Sequence, residues 1–329
     1  MSDKVLRYML VAVKEESSEG TDAFGGSPGA SDWLAAFPET MITEVRNQVR
    51  DTTVRPYHTN NAKQSHPSHC EVEVHIPLIG KEAASGDAPP APVLALYKSA
   101  GHKGTTAAGT SFTLTPITFH TNANAPTCTV YTAEYLSDGT VRTHVAVGVR
   151  LVWSLNASEG LIRQSFVGQG LYSDPDESPI AAPSNPASYS EGKTPFLSQG
   201  MSAAIGSEDF DLIDYSISSN FEVVGDNNIT GTNLMDRFEL VRGEDNPPVS
   251  SFNFRQASDL EYVLGQWDQD SELALDCSWT DGTDDVQIIG TGQFGDYSRS
   301  KGNIQSYSST LGHIATAADA EDDYSIVFT

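Results

Sequence analysis

Cysteines and long apolar stretches are scarce in this chain of 329 residues. Its three cysteines, Cys70, Cys128 and Cys277, lie far apart and form no CxxC pair, so we expect packed free thiols and no disulfide framework. No stretch reaches the roughly 18 apolar residues that a membrane-spanning helix needs. The apolar run near the N-terminus covers only about six residues, which is too short for a signal peptide. We therefore expect a soluble protein that folds where thiols stay reduced.

Sequence motifs of enzymes are also missing. There is no GxSxG elbow, HExxH pair, Walker loop or GxGxxG segment after a strand. The segment "HPSHC", from His66 to Cys70, has no partner cluster elsewhere, so solvated histidines are a better interpretation than a metal corner. The segment "DQDSE" lacks the central glycine of a calcium loop, and Trp267 and Trp279 are interpreted as core aromatics. We expect a protein that is not an enzyme, with no catalytic residue, metal site or cofactor.

Basic residues are few compared with acidic ones. The chain contains 19 Lys/Arg and 44 Asp/Glu, for a formal net charge of −25. Residues 1–180 contain 13 Lys/Arg and 19 Asp/Glu (net −6), whereas residues 181–329 contain 6 and 25 (net −19). Because contacts from Lys and Arg to phosphates dominate nucleic-acid affinity, this chain should repel DNA. With 27 Gly and 17 Pro, the composition is typical of a loop-rich β-protein long enough for two domains.

What the sequence does contain is a repeat. The hairpin turn "YLSDGT", with Asp138 and Gly139, returns as "SWTDGT", with Asp281 and Gly282. The turn is followed in both places by an alternating strand, a Ser-x-Gly turn and a further strand. It is preceded in both places by a strand and a short helix, around "PAPVLALYKSAG" and "ASDLEYVLGQW". Chance sharing of common turn residues is the alternative, but the matching order of the elements predicts a tandem duplication.

Four segments follow from this repeat. Residues 1–40 are predicted to form an N-terminal arm with a short helix around "DWLAAF". The two copies occupy residues 41–172 and 199–329, and a Pro/Ser-rich linker, 173–198, joins them. The first copy carries an additional stretch near 102–126. The expected fold class is mainly β, with a short flanking helix in each of two tandem β-sandwich or barrel domains.

Several segments together resemble one known family. The opening "VKEESSEGTDAF", the helix "APVLALYKSAG", the glycine-punctuated strands "HVAVGVRLVWSLNASEGLIRQSFVGQGLY" and the closing "DDYSIVF" are similar to the long-form tail tube proteins of tailed phages, chiefly those with non-contractile tails. The likeness runs from about residue 5 to the C-terminus and rests on the order of loose strings of small and apolar residues. The stretch near 102–126 departs from the family pattern.

The resemblance implies two packed β-sheets flanked by a helix, in subunits that stack as rings around a channel for the genome. It implies a virion protein that is assembled in the host cytoplasm. Its partners would be other copies of itself, the tape measure protein, the tail terminator and tail-tip proteins, while DNA passes without specific binding. Exposed strand edges fit this, because ring closure would pair them with neighbouring subunits. Two copies per chain predict a trimeric ring with pseudo-six-fold symmetry; a hexamer in which one half decorates the outside is the alternative.

Two other functions stay open at this point. One is a β-sandwich adhesin or fibre module that binds carbohydrate, and the other is a hydrolase that uses acidic loops, for which no carboxylate pair can be assigned. Long polar segments, about 55–69 and 225–248, are expected to order against an adjacent ring or subunit, since loops of this length are usually functional. The candidate contact residues in these segments are Asn60, Asn61, Lys63, Asp226, Asn227, Asn228 and Thr230.

Overall fold

A computed structural model shows a protein that is mainly β, with 62% of its residues in strands and 10% in helical structure. It describes residues 9–29, 32–45, 48–50, 63–65, 69–82, 88–107, 110–117, 125–135, 141–158, 160–173, 195–227, 235–242, 247–301, 305–314 and 323–329. Within these ranges, no helix is long and apolar enough to cross a membrane.

The described strands and helices follow one another in the order below. The first half contains β1 (Met9–Glu15), β2 (Trp33–Ala36), β3 (Met41–Val45), β4 (Gln48–Arg50), β5 (Lys63–Ser65), β6 (His69–Pro77), α1 (Ala91–Ser99), β7 (His102–Ala107), β8 (Ser111–Pro116), β9 (Cys128–Tyr135), β10 (Val141–Ala157) and β11 (Arg163–Ser173). The second contains β12 (Met201–Ile205), β13 (Glu208–Asp209), β14 (Leu212–Ser218), β15 (Phe221–Asn227), β16 (Met235–Arg242), β17 (Val249–Phe254), α2 (Ala257–Trp267), β18 (Leu273–Thr280), β19 (Asp285–Lys301), β20 (Gln305–His313) and β21 (Tyr324–Phe328).

The two halves share one order of strand pairing. In the first half, antiparallel pairing runs β1–β9–β10–β11–β6–β3. In the second half it runs β12–β18–β19–β20–β17–β14. Each half also places a two-stranded hairpin, β4–β5 or β15–β16, after the outer strand of this series. A helix then precedes the β9–β10 hairpin in one half and the β18–β19 hairpin in the other. The repeated order seen in the sequence is thus matched by a repeated order of pairing.

The additional stretch of the first half also has a structural role. Part of it forms the hairpin β7–β8, and β8 pairs with the C-terminal strand β21. The other edge of β21 pairs with β19, so the additional hairpin extends the sheet of the second half. A single apolar cluster includes residues of both halves, among them Trp153 on β10, Tyr97 on α1 and Tyr324 on β21. The stacked rings of Trp153 and Tyr324, 5.8 Å apart, are one contact across it.

Two parts of the N-terminal segment differ from the sequence-based expectation. The "DWLAAF" helix is wrong: Trp33–Ala36 form strand β2, which pairs with β1. Residues 9–15, assigned to an arm, form β1, where Val11 and Val13 are buried in the main core. Trp33 and Leu34 are both buried, on opposite faces of a strand, so tertiary pairing decides the conformation of a segment too short to specify a helix.

Candidate assembly interface

The two halves of the chain meet edge to edge. Residues 154–157, at the C-terminal end of β10, pair with residues 215–218 of β14, with Ser154 opposite Ser218 and Asn156 opposite Ser216. The other edge of this part of β10 is already paired with β11, and the other edge of β14 with β17. The outer strand of the second half therefore extends the sheet of the first. We call this ladder the inter-half joint.

The hairpin β15–β16 reinforces the joint. It leaves the second half and packs on β10 and β11 of the first. Phe221, Phe238 and Leu240 of the hairpin are buried. Gly101, at the end of α1 with φ of 77°, contacts Phe221 and Leu240 closely. A Cβ added at this glycine would lie 3.3 Å from both side chains. The close approach of this hairpin depends on the absence of a side chain at that glycine.

A buried arginine fixes the hairpin backbone to the first half. The Arg150 guanidinium donates through Nε to the carbonyl of Phe238, at 3.3 Å, and through Nη1 to the carbonyl of Ala125. Burial lowers the pKa of Arg150, opposed mainly by the charge of Glu19. Near the surface, Arg237 on β16 lies 3.7 Å from the carboxylate of Glu19. The buried Arg150 needs the two carbonyl acceptors, because an unpaired buried charge is strongly destabilising.

A hydrogen bond between side chains also connects the halves. The Nδ1–H of His102 donates to the carbonyl of Tyr97, at 3.2 Å, which leaves Nε2 to accept from the Tyr324 hydroxyl, at 2.8 Å. Within the second half, Nε2 of His313 lies 2.7 Å from the hydroxyl of Ser250. Burial lowers the pKa of His102 and that of His313 to about 4. Both rings are therefore neutral at physiological pH, as their place in the apolar interior requires.

Two strand edges correspond to the joint but have no partner among the described residues. On β3 one edge pairs with β6, and no described strand pairs with the other. On β19, residues 293–301 have a partner along the β20 side only, since β18 pairs no further than Gly292. In the shared strand order β3 corresponds to β14, and β19 corresponds to β10. These two edges therefore lie at the positions equivalent to the two strands of the inter-half joint.

The repeated turn of the second half closes the β18–β19 hairpin. Gly282 has φ of 90°, which favours glycine, and the Asp281 carboxylate accepts from the backbone N–H groups of Thr283 and Asp284, each at 2.8 Å. The corresponding Asp138 and Gly139 lie outside the described residues.

Of the other candidate residues, some lie within the described residues and some lie outside them. Lys63 lies on β5, and Asp226 and Asn227 lie at the end of β15, so these three belong to the two equivalent hairpins. The expectation that the segment 225–248 is a long polar loop is wrong for its described part, which forms strands, and Phe238 and Leu240 are buried in it. Asn60, Asn61, Asn228 and Thr230 lie outside the described residues.

The remaining sequence candidates can also be placed. The thiols of Cys70, Cys128 and Cys277 are free and buried, and burial raises the pKa of Cys70 and Cys128 to about 12. Trp279 is a core residue, but Trp267 is 45% exposed at the end of α2, so the core interpretation is wrong for Trp267. The described ranges contain no group of three His, Cys, Asp or Glu side chains that could hold a metal ion.

Sequence reasoning missed the residues of the joint itself. The β14 segment "YSIS" and the β10 segment "SLNA" alternate apolar and small polar residues like any other strand, so only the repeat could have pointed to them. In comparisons with known proteins, no family model matches this chain and no curated protein matches it.

Proposed function

We propose that this chain is a structural protein that polymerises into stacked rings and forms the tail tube of a tailed phage, the channel for genome delivery. The observation that carries the proposal is the inter-half joint. The second half adds its outer strand to the sheet of the first, and the equivalent strand of the first half has an edge without a partner in the described part of the chain. A chain that joins its own two copies in this way is suited to join further copies in the same way.

The proposed ring contains three chains. Each chain supplies two copies of one β-domain, so three chains supply six copies in pseudo-six-fold symmetry. The competing arrangement is a ring of six chains in which one half forms the channel and the other lies outside. The difference in net charge between residues 1–180 and 181–329 fits either arrangement, because the two copies have diverged.

The acidic composition supports a channel that does not hold DNA. A genome that slides through a tube needs a wall without affinity for phosphates, and negative charge on the lumen meets this need. We propose that part of the acidic residues beyond position 180 face the lumen. The partners in this function are other copies of the chain, the tape measure protein, the tail terminator and tail-tip proteins. The proposed location is the virion, after assembly in the host cytoplasm, and no enzymatic step is involved.

Electron microscopy of the purified chain tests the proposal. Negative-stain images should show rings or tubes about one subunit thick around a central channel, and class averages should show three-fold symmetry with six similar lobes. A ring of six chains would replace the trimer and keep the function. Monodisperse globules at all concentrations would contradict the function and favour the adhesin or fibre module.

A further inference from the structure

We propose that residues 40–43, at the start of β3, in one chain pair, antiparallel, with residues 298–301 of β19 in a second copy of the same chain. This interface would repeat the inter-half joint between molecules. The inference deepens the proposed function, since it names the surfaces through which the rings would close. It concerns an edge-to-edge contact that can also exist if the assembly is not a tail tube.

The register follows from aligning the two halves, with Val72 of β6 matched to Ser250 of β17. Val72 pairs with Ile42 on one side and Gly168 on the other. Ser250 likewise pairs with Ile217 and Leu311. The buried positions match as well, because Thr40, just before β3, and Ile42 on β3 are buried in alternation, as Tyr215 and Ile217 are on β14. The alignment therefore makes residues 40–43 equivalent to residues 215–218.

The same alignment identifies the acceptor strand. Phe166 and Gly168 of β11 correspond to Ser309 and Leu311 of β20. Trp153 pairs with Phe166, and Tyr297 pairs with Ser309, so residues 154–157 correspond to 298–301. In the chain, Ser154 lies opposite Ser218. Between two chains, Ser298 should therefore lie opposite Thr43.

Two equivalent positions, one at the inter-half joint and one at the open edge of β19, differ in burial in the direction that an unoccupied interface predicts. Trp153 is fully buried, and the second half contributes to its cover through the stacked ring of Tyr324 and through Ser219, whose hydroxyl donates to the Trp153 carbonyl at 3.0 Å. Its equivalent, Tyr297, is 45% exposed. The ring of Trp267 lies 6.0 Å from that of Tyr297 and covers only part of it, as expected where a covering half is absent.

Charge complementarity favours the same partner. Residues 181–329 contain only six basic residues, and two of them, Arg299 and Lys301, lie in the acceptor segment of β19. Residues 40–43 lie between two acidic residues, Glu39, which is 3.7 Å from Arg163 in its own chain, and Glu44. In the proposed register Arg299 lies opposite Ile42, which makes Glu44 its diagonal neighbour on the same face. A second copy of this chain thus supplies both the strand edge and the opposite charge.

Disulfide cross-linking of the full-length chain tests the register. Directly opposed residues on antiparallel strands bring their Cβ atoms to about 4.5–5.5 Å, close enough for a disulfide after small adjustments. The double variant Thr43→Cys/Ser298→Cys should give covalent multimers under mild oxidation on a non-reducing gel, and in a three-chain ring the ladder should end at three. Ser154→Cys/Ser218→Cys is the matched control, which should close within one chain and keep monomer mass.

Two further variants make the test specific. Thr43→Cys/Arg299→Cys moves one thiol to the opposite face of β19 and should cross-link no better than either single-cysteine variant. Arg299→Glu should weaken assembly at low salt at least several-fold, and Glu44→Arg should restore it, whereas Arg255→Glu, an exposed arginine of the same half, should have no effect.

The outcomes separate this proposal from the proposed function. Cross-linked multimers without rings or tubes in the microscope would support the pairing and contradict the tail tube. Tubes in which Thr43→Cys/Ser298→Cys cross-links no more than the single variants would overturn the pairing and leave the tail tube standing. A chain that is monomeric at all concentrations and does not cross-link would overturn the pairing as well.

Discussion

Truncation of Phe238 to alanine should release the hairpin β15–β16 from the first half. Phe238 is fully buried, and its ring lies 6.4 Å from that of His69. A buried aromatic side chain removes about 150–250 Å² from water, which at about 25 cal/mol per Å² is roughly 4–6 kcal/mol. Since alanine retains part of this, the expected loss is about 3–5 kcal/mol. The Phe238 carbonyl that accepts from Arg150 stays in place, so the loss reports the ring alone.

Native-state hydrogen exchange followed by mass spectrometry measures this effect locally. Peptides that cover residues 235–242 should exchange much faster in Phe238→Ala, while peptides from β14 keep their protection because the β10–β14 ladder is unchanged. Val241→Ala is the matched control, since Val241 lies on the same strand but is 40% exposed; its effect should stay within about 1 kcal/mol. Equal exchange in the two variants would refute the view that the hairpin is held by burial against the first half.

Three further predictions concern other contacts. Glu16→Gln should destabilise the chain by about 2 kcal/mol in urea unfolding, because the buried carboxylate accepts from two threonine hydroxyls and two backbone N–H groups; exposed Glu15→Gln should cost less than about 1 kcal/mol. Since burial lowers the folded pKa of His102 and His313 from 6.5 to about 4, the unfolded chain binds more protons between these values, so stability should fall as pH decreases from 6.5 to 4. His102→Asn should flatten this slope, and an unchanged slope would contradict the assignment. Deletion of residues 226–234, which run from the end of β15 to the residue before β16, should leave a folded chain that does not polymerise, and normal tubes from this variant would refute a role in stacking.

Local features of the fold could be predicted from the sequence where neighbours along the chain decide the conformation. The second Asp-Gly segment forms a tight turn because Gly282 adopts a left-handed φ and the Asp281 side chain caps the following N–H groups, which are interactions within four residues. The two helices before the hairpins were predicted for the same reason, since their apolar spacing is local. The "DWLAAF" segment failed because its pairing partner, β1, lies some 20 residues away along the chain.

For the candidate interface, the sequence could predict that strand edges need partners but could not predict which strands pair. Exposed edges that need partners follow from a β-rich sequence, but nothing in "YSIS" or "SLNA" reveals that these two segments pair with each other. The burial of Phe238 and the exposure of Trp267 were also beyond sequence reasoning, because each depends on whether a distant strand covers the ring.

The sequence alone therefore determined the mainly β class, the repeated strand order and the second Asp-Gly turn, since these depend on periodicity and on backbone preferences of nearby residues. The tertiary structure alone decided which edge strand meets which sheet. It placed β14 against β10 and β21 between β19 and β8, and it left one edge of β3 and one edge of the end of β19 without a strand partner among the described residues. The physical reason is that backbone hydrogen bonds between strands are the same for every sequence, so only long-range packing of side chains selects the pairing.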